Sequence, residues 1–375
     1  MTRWRRNLPN RFLIPPLPQE TSVNQEDIAV FTGTANPMLA FNIAQHLGLQ
    51  LGNALVGRFD DGKVRVQIHE DVRGRDVYII QPDGPPAGWF AESKELIVAA
   101  KRSAARVTVV IPYFSSGRGD RRDEPGKSIP AAKDAREYVA TNVDRIVLFD
   151  LHADQIVGMF EAAGAEHVDA LYFRPIILDR LAQIPAEELA NSIVSPPDVG
   201  RLKVVRSLWK RLRAMGNPVA LGVVDKDGSS ATGIEEMTIL GAFEGRHAHL
   251  LDDILGSGAT AIEAARGVLE RGALDVTYWV THLVLPSRDT MERRLAVCEQ
   301  LLQSPIKRII VSDTLVLGDN ERRILEPKLE IVSVAPLFAM VIKRLHDPRT
   351  GHRMSSLFEL EGYRRGLNEL HTASG

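Results

Sequence analysis

Short runs that are apolar along most of their length, rather than in alternation, recur through this chain. They are Ile28–Phe31, Val77–Ile80, Val107–Ile111, Arg145–Phe149 and Ser192–Val194, then Pro218–Val224, His249–Leu251, Val276–Val280, Arg308–Val311 and Glu330–Val332. Such runs fit parallel strands covered on both faces. Between them lie stretches of helical period: Pro37–Leu47, Glu92–Ala104, Ile129–Thr141, Gly200–Ala214 and Thr260–Arg271. Strand and helix alternating this often predict an α/β fold of mainly parallel sheets flanked by helices. The weakest join falls in Tyr172–Asn191, which divides the chain into an N-terminal domain, 27–172, and a C-terminal domain, 173–345, alike in layout. Residues 1–26, with four arginines and three closely spaced prolines, form an N-terminal extension. Residues 346–375 form a C-terminal one, in which Leu357–Leu370 is a candidate amphipathic helix.

Composition narrows the picture. The 375 residues are 44% hydrophobic, enough for a sizeable core and for two domains. With 46 basic and 48 acidic side chains the net charge is −2, and no aromatic-basic stripe appears, which argues against a nucleic-acid partner. A single cysteine, Cys298, leaves no intramolecular disulfide and no multi-cysteine metal site. The apolar runs are too short to cross a bilayer, so a soluble, cytoplasmic protein is expected.

In open α/β sheets ligands bind beyond the carboxyl ends of strands, so the residues after each run carry the chemistry. The strongest local signal is His249-Leu250-Leu251-Asp252-Asp253-Ile254-Leu255-Gly256-Ser257-Gly258-Ala259-Thr260, which opens a helix. Backbone N–H groups of such a loop can cradle a phosphate, with Ser257 and Thr260 adding hydroxyls. Two adjacent carboxylates suit ribose hydroxyls or Mg²⁺. The plainer alternative is a strand-to-helix turn in which Thr260 is the N-cap and the aspartates are solvated.

That loop resembles the phosphoribosyl-diphosphate motif of phosphoribosyltransferases and ribose-phosphate diphosphokinases (PRPP synthetases). Thr32–Pro37, Gly57–Gly62, Val72–Gly74, Asp150–Ala153, Pro197–Gly200 and Ser333–Pro336 resemble successive PRPP synthetase segments, in family order, across roughly residues 28–345. The resemblance implies two similar phosphoribosyltransferase-like domains. It also implies Mg²⁺-dependent transfer of the diphosphoryl group of ATP to the C1 hydroxyl of ribose 5-phosphate, giving PRPP and AMP for nucleotide biosynthesis. By resemblance, Gly256, Ser257, Gly258, Ala259 and Thr260 hold the 5-phosphate, and Asp252 and Asp253 face the sugar. His152 and Asp198 would serve the metal. Phe59, Asp61, Arg118, Asp120 and His152 would serve ATP, Phe59 by stacking on adenine and Arg118 by forking onto phosphate. Lys226, with Asp252 and Asp253, would be catalytic, although Asp225–Gly228 also reads as a turn. The family's ATP site borrows from a neighbouring subunit, which implies a homo-oligomer, dimer or hexamer. A paralogous PRPP synthetase is an alternative partner.

Four departures accompany the resemblance. Asp225-Lys226-Asp227-Gly228 stands where Asp-Lys-Arg-Arg is usual, so a cation that could stabilise transferring phosphoryl charge is missing. Arg246 is one candidate to replace it. Asp61-Gly62-Lys63 replaces Asp-Gly-Glu, Arg118-Gly119 replaces Arg-Gln, and Gly256 stands where an aspartate is common. Two other functions compete: a catalytically weak or silent PRPP-synthetase-like regulatory subunit, and, with less support, a phosphoribosyltransferase that consumes PRPP.

Overall fold

The computed structural model describes residues 27–84, 88–227, 236–286, 291–347, 354, 357 and 359–372. In chain order its strands are β1 (Ile28–Thr32), β2 (Ala54–Arg58), β3 (Val64–Ile68), β4 (Asp76–Ile80), β5 (Arg106–Ile111), β6 (Arg145–Phe149) and β7 (Val168–Leu171). The second half adds β8 (Ser192–Ser195), β9 (Ala220–Leu221), β10 (Val223–Asp227), β11 (Glu236–Leu240), β12 (His247–Leu255), β13 (Asp275–Leu283), β14 (Arg308–Ser312) and β15 (Leu329–Val332). One parallel sheet runs β1-β4-β5-β6-β7 and the other β15-β14-β13-β12-β8-β9. Two antiparallel ribbons, β2-β3 and β10-β11, project from this α/β body.

The unbroken apolar runs have a direct explanation. In β4, Val77 and Ile79 enter one core while Tyr78 and Ile80 enter another; in β5, Val107, Val109 and Ile111 oppose Val110. Period-two alternation therefore places apolar residues on both faces. The outer core of the first sheet also takes Ala135 and Phe160 from its covering helices, and the outer core of the second takes Ala264 and Leu301. The third core is common to both halves, joining Val30 and Phe149 to Trp279, Ile310 and Phe338.

Helix Ala335–His346 is buried along nearly its whole length and packs against helix Pro37–His46 of the first half. Arg106 ties its end to the first sheet, donating from Nη2 to Leu345 O (2.9 Å) and pairing with Asp76, which also meets His346 Nδ1 at 3.0 Å. The C-terminal amphipathic stretch does form a helix, Leu360–Thr372. It docks on the body against Ala335–His346 and Arg174–Leu181, with Leu360, Tyr363 and Leu370 in the shared core.

Several elements differ from the sequence expectation. The ribbon β2-β3, strand β7 and the helices Gln155–Ala162, Arg174–Leu181, Met291–Gln303, Asp319–Leu325 and Ala335–His346 were not anticipated. The run Pro218–Val224 splits: β9 joins the second sheet, whereas β10 leaves it for a ribbon. The run at His249 extends to Leu255, so Asp252 and Asp253 lie within β12 and the glycine loop alone follows it. The N-terminal extension and Gly228 lie outside the described residues.

Candidate active site

Four strand ends build one cavity of about 210 Å³. From the first sheet come Arg118, after β5, and His152, after β6; from the second come Asp198 and Arg201, after β8, and the β12 loop. Arg118 ends a short 3-10 turn, Ser115–Arg118. Ser115 Oγ anchors that turn by donating to Asp83 Oδ1 at 2.5 Å, and Ser116 bonds Asp134.

Within β12, Asp252 and Asp253 have different partners. Asp252 Oδ2 accepts from the Tyr278 hydroxyl at 2.7 Å, and its Oδ1 accepts from Asp253 N at 2.9 Å. Burial first, and then the neighbouring Asp253 charge, push the Asp252 carboxyl up to about 7. Burial also opposes ionisation of Asp253, but His152 Nδ1 at 2.7 Å and the Arg201 guanidinium outweigh it and hold that carboxyl below the usual range. The same hydrogen bond raises the His152 imidazole above its ordinary value. Charge on one half thus sets charge on the other.

Gly256, Ser257, Gly258 and Thr260 line the cavity, and helix Ala259–Glu270 starts there without a side-chain cap. Its N-cap is Gly258, at φ +80°, rather than Thr260. A side chain at 258 would also meet Leu301 at 3.0 Å, so both conformation and space favour glycine. The opening N–H groups have no side-chain cap, and the hydroxyls of Ser257 and Thr260 stand beside them, an arrangement that suits an anion. Position 256 is roomy, and a Cβ there would lie 3.9 Å from Arg118 Nη1. Asp198 is the N-cap of the Val199–Arg201 turn, accepting from Gly200 N at 2.8 Å.

The other expected residues do not line this cavity. Ala259 opens the helix but does not line the cavity. Asp120 is buried against Gln155. Phe59 and Asp61 stand on the β2-β3 ribbon, where Phe59 is 49% exposed with Arg65 over its ring. Lys226 belongs to β10, not to a turn, and that strand runs beside the Val199–Arg201 turn. Arg246 precedes β12, at the end away from the cavity, and donates to Ala190 O at 3.2 Å, so it does not supply a cation here.

Arg201 escaped the sequence reading. It is buried, with its guanidinium 3.8 Å from Asp150 Oδ2 and 3.7 Å from Asp253 Oδ2. The signal available was a lone arginine directly after Pro197-Asp198-Val199-Gly200, in a segment already marked as chemical. Among the described residues no three His, Cys, Asp or Glu side chains gather to hold a metal ion. His152 and Asp198 share the cavity, but His152 is engaged with Asp253 and a guanidinium stands among the carboxylates. This donor set does not fit a resident Mg²⁺, which demands near-octahedral oxygen ligands.

Fold and cavity define a class: an α/β protein of two parallel sheets with a polar cavity at the carboxyl ends of strands from both, the place where ligands of open α/β sheets bind. Two family profiles match the chain, the N-terminal domain of ribose phosphate pyrophosphokinase at residues 28–140 and the phosphoribosyl synthetase-associated domain at 228–359. A ribose-phosphate pyrophosphokinase of Ralstonia nicotianae is 37% identical over 326 residues, 86% of this chain and 96% of its own. The chloroplastic ribose-phosphate pyrophosphokinase 1 of Arabidopsis thaliana is 35% identical over 90% of this chain and 79% of its own. The crystal structure of phosphoribosylpyrophosphate synthetase from Mycobacterium smegmatis superposes with a TM-score of 0.73 at 29% identity, covering 85% of this chain and 98% of that one. The chain belongs to the ribose-phosphate pyrophosphokinase family of enzymes. No helix among the described residues is long and apolar enough to cross a membrane.

Proposed function

We propose that this enzyme transfers the diphosphoryl group of ATP to the C1 hydroxyl of ribose 5-phosphate, releasing AMP and PRPP for nucleotide biosynthesis in the cytoplasm. The observation that carries the reading is the cavity itself, where an uncapped helix start with two hydroxyls adjoins a carboxylate pair and two guanidinium groups. The cradle at Gly256–Thr260 takes the 5-phosphate. Asp252 and Asp253 accept from the sugar hydroxyls and fix the ring. The C1 oxygen then forms a bond to the β-phosphorus of ATP as the bond from that phosphorus to the α,β-bridging oxygen breaks; AMP leaves with the bridging oxygen, and the hydroxyl proton passes to solvent. Arg118 and Lys226 meet the charge on the transferring group. Mg²⁺ would come only as the counterion of ATP and would supply charge neutralisation on the phosphate oxygens; His152 and Asp198 are the residues that the family resemblance assigns to it.

The exposed Phe59–Asp61 tip supports a homo-oligomer in which the adenine contacts of one cavity come from a second copy. Purified protein with Mg²⁺, ATP and ribose 5-phosphate tests the reading. AMP released in step with PRPP is expected. No turnover alone, combined with a changed rate when mixed with an active synthetase, would instead make this a regulatory subunit. Base-dependent release of diphosphate from PRPP would make it a phosphoribosyltransferase.

A further inference from the structure

We propose that Arg201 is the resident cation of this cavity, a positioning residue that fills the place between Asp150 and Asp253 and keeps a free divalent ion out of it. Three observations carry this. The first is location: Arg201 is only 8% exposed, yet it lines the cavity together with Asp198, Asp252 and Asp253.

The second is how it is held. Its closest carboxylate oxygens lie at 3.7 and 3.8 Å, beyond hydrogen-bond length, so charge rather than a fixed fork retains it. The Asp253 and Asp150 charges favour its protonated form despite burial.

The third is that the carboxylates do not need Arg201 for their orientation. Asp150 has a left-handed backbone, φ +45°, and is pinned by Phe173 N at 3.3 Å and by the Thr281 hydroxyl. Asp253 is pinned by His152. A neutral side chain at 201 would therefore leave oriented, buried carboxylates with no guanidinium between Asp150 and Asp253, a place a divalent ion could then take.

The consequence is a division of labour. The protein supplies the permanent charge at the sugar end, and divalent ions associate with the cavity only through nucleotide phosphates. This inference rests on the proposed function only for the source of those phosphates.

The test is Mn²⁺ binding to the full-length protein without nucleotide or sugar phosphate, by calorimetry and by the electron paramagnetic resonance signal of free Mn²⁺. Wild type is expected to bind no Mn²⁺ below millimolar concentration. Arg201→Met and Arg201→Gln should each gain one site per chain, at least about tenfold tighter, while Arg201→Lys should behave as wild type. Wild type that binds one Mn²⁺ tightly without nucleotide would overturn the proposal whether or not the variants fold. So would folded Met and Gln variants that bind as weakly as wild type. Because no turnover is measured, a protein that releases no AMP could still pass, separating failure of the function from failure of this inference.

Discussion

The ion pair between Arg201 and Asp253 should be measurable as a coupling energy. At 3.7 Å and an effective dielectric constant of about 20, the charges attract by about 4 kcal/mol, opposed by the desolvation of both. Breaking a buried pair by removing one partner costs about 3–5 kcal/mol, and here Asp150, 3.8 Å from Arg201, shares the load. Asp253→Asn is therefore expected to destabilise by about 2–3 kcal/mol, tempered by relief of the neighbouring Asp252. Arg201→Met, which strands two carboxylates, should cost at least as much. In the double variant no charge is stranded between these two residues, so its loss should fall short of the sum by at least about 1.5 kcal/mol. Urea unfolding of the four proteins at pH 7.5, followed by circular dichroism, gives the cycle. Additivity within about 0.5 kcal/mol would refute the pairing.

Three further outcomes are expected. Tyr278→Phe removes the donor to the Asp252 carboxylate, so it should cost about 1–2 kcal/mol at pH 8 and less at pH 6, where Asp252, titrating near 7, is mostly protonated; a cost independent of pH would sink that assignment. His249 accepts from Trp279 Nε1 at 3.2 Å, and burial lowers its imidazole to about 4 from the ordinary 6.5, so between those values the proton prefers the unfolded chain. The stability of wild type relative to His249→Gln should consequently fall by about 3 kcal/mol as pH drops through that window, and a flat difference in urea midpoints would contradict it. Arg106→Met should loosen helix Ala335–His346 at a cost of about 2–3 kcal/mol, read as faster limited proteolysis after residue 335; unchanged cleavage would show that packing alone holds the helix.

The strands buried on both faces were legible because their apolar runs are uninterrupted. The same criterion hid the β2-β3 ribbon, whose Val64, Val66 and Ile68 alternate with exposed polar residues. Helix Ala335–His346 was missed for the opposite reason. Nearly all of it is buried, so it lacks a broad polar face to announce its period. At the site, the rule that chemistry follows strands located the glycine loop, and the family resemblance marked Arg118, His152 and Asp198. What the rule could not supply was reach across the fold: Arg201 contacts Asp150 and Asp253, about 50 residues away on either side, the second because β8 and β12 are neighbours in one sheet and the first because the two sheets face each other.

The helix that closes the shared core also has a bearing on how the chain is made. Helix Pro37–His46 and its sheet are finished early in synthesis, yet the surface that covers them, Ala335–His346, leaves the ribosome only near the end. Until then an apolar face remains open to water and to other nascent chains, at a sequence separation that makes closure slow. Premature termination before residue 335 should therefore yield an aggregating fragment rather than a stable first lobe, so that the last helices act as the step that commits the whole molecule to its native state.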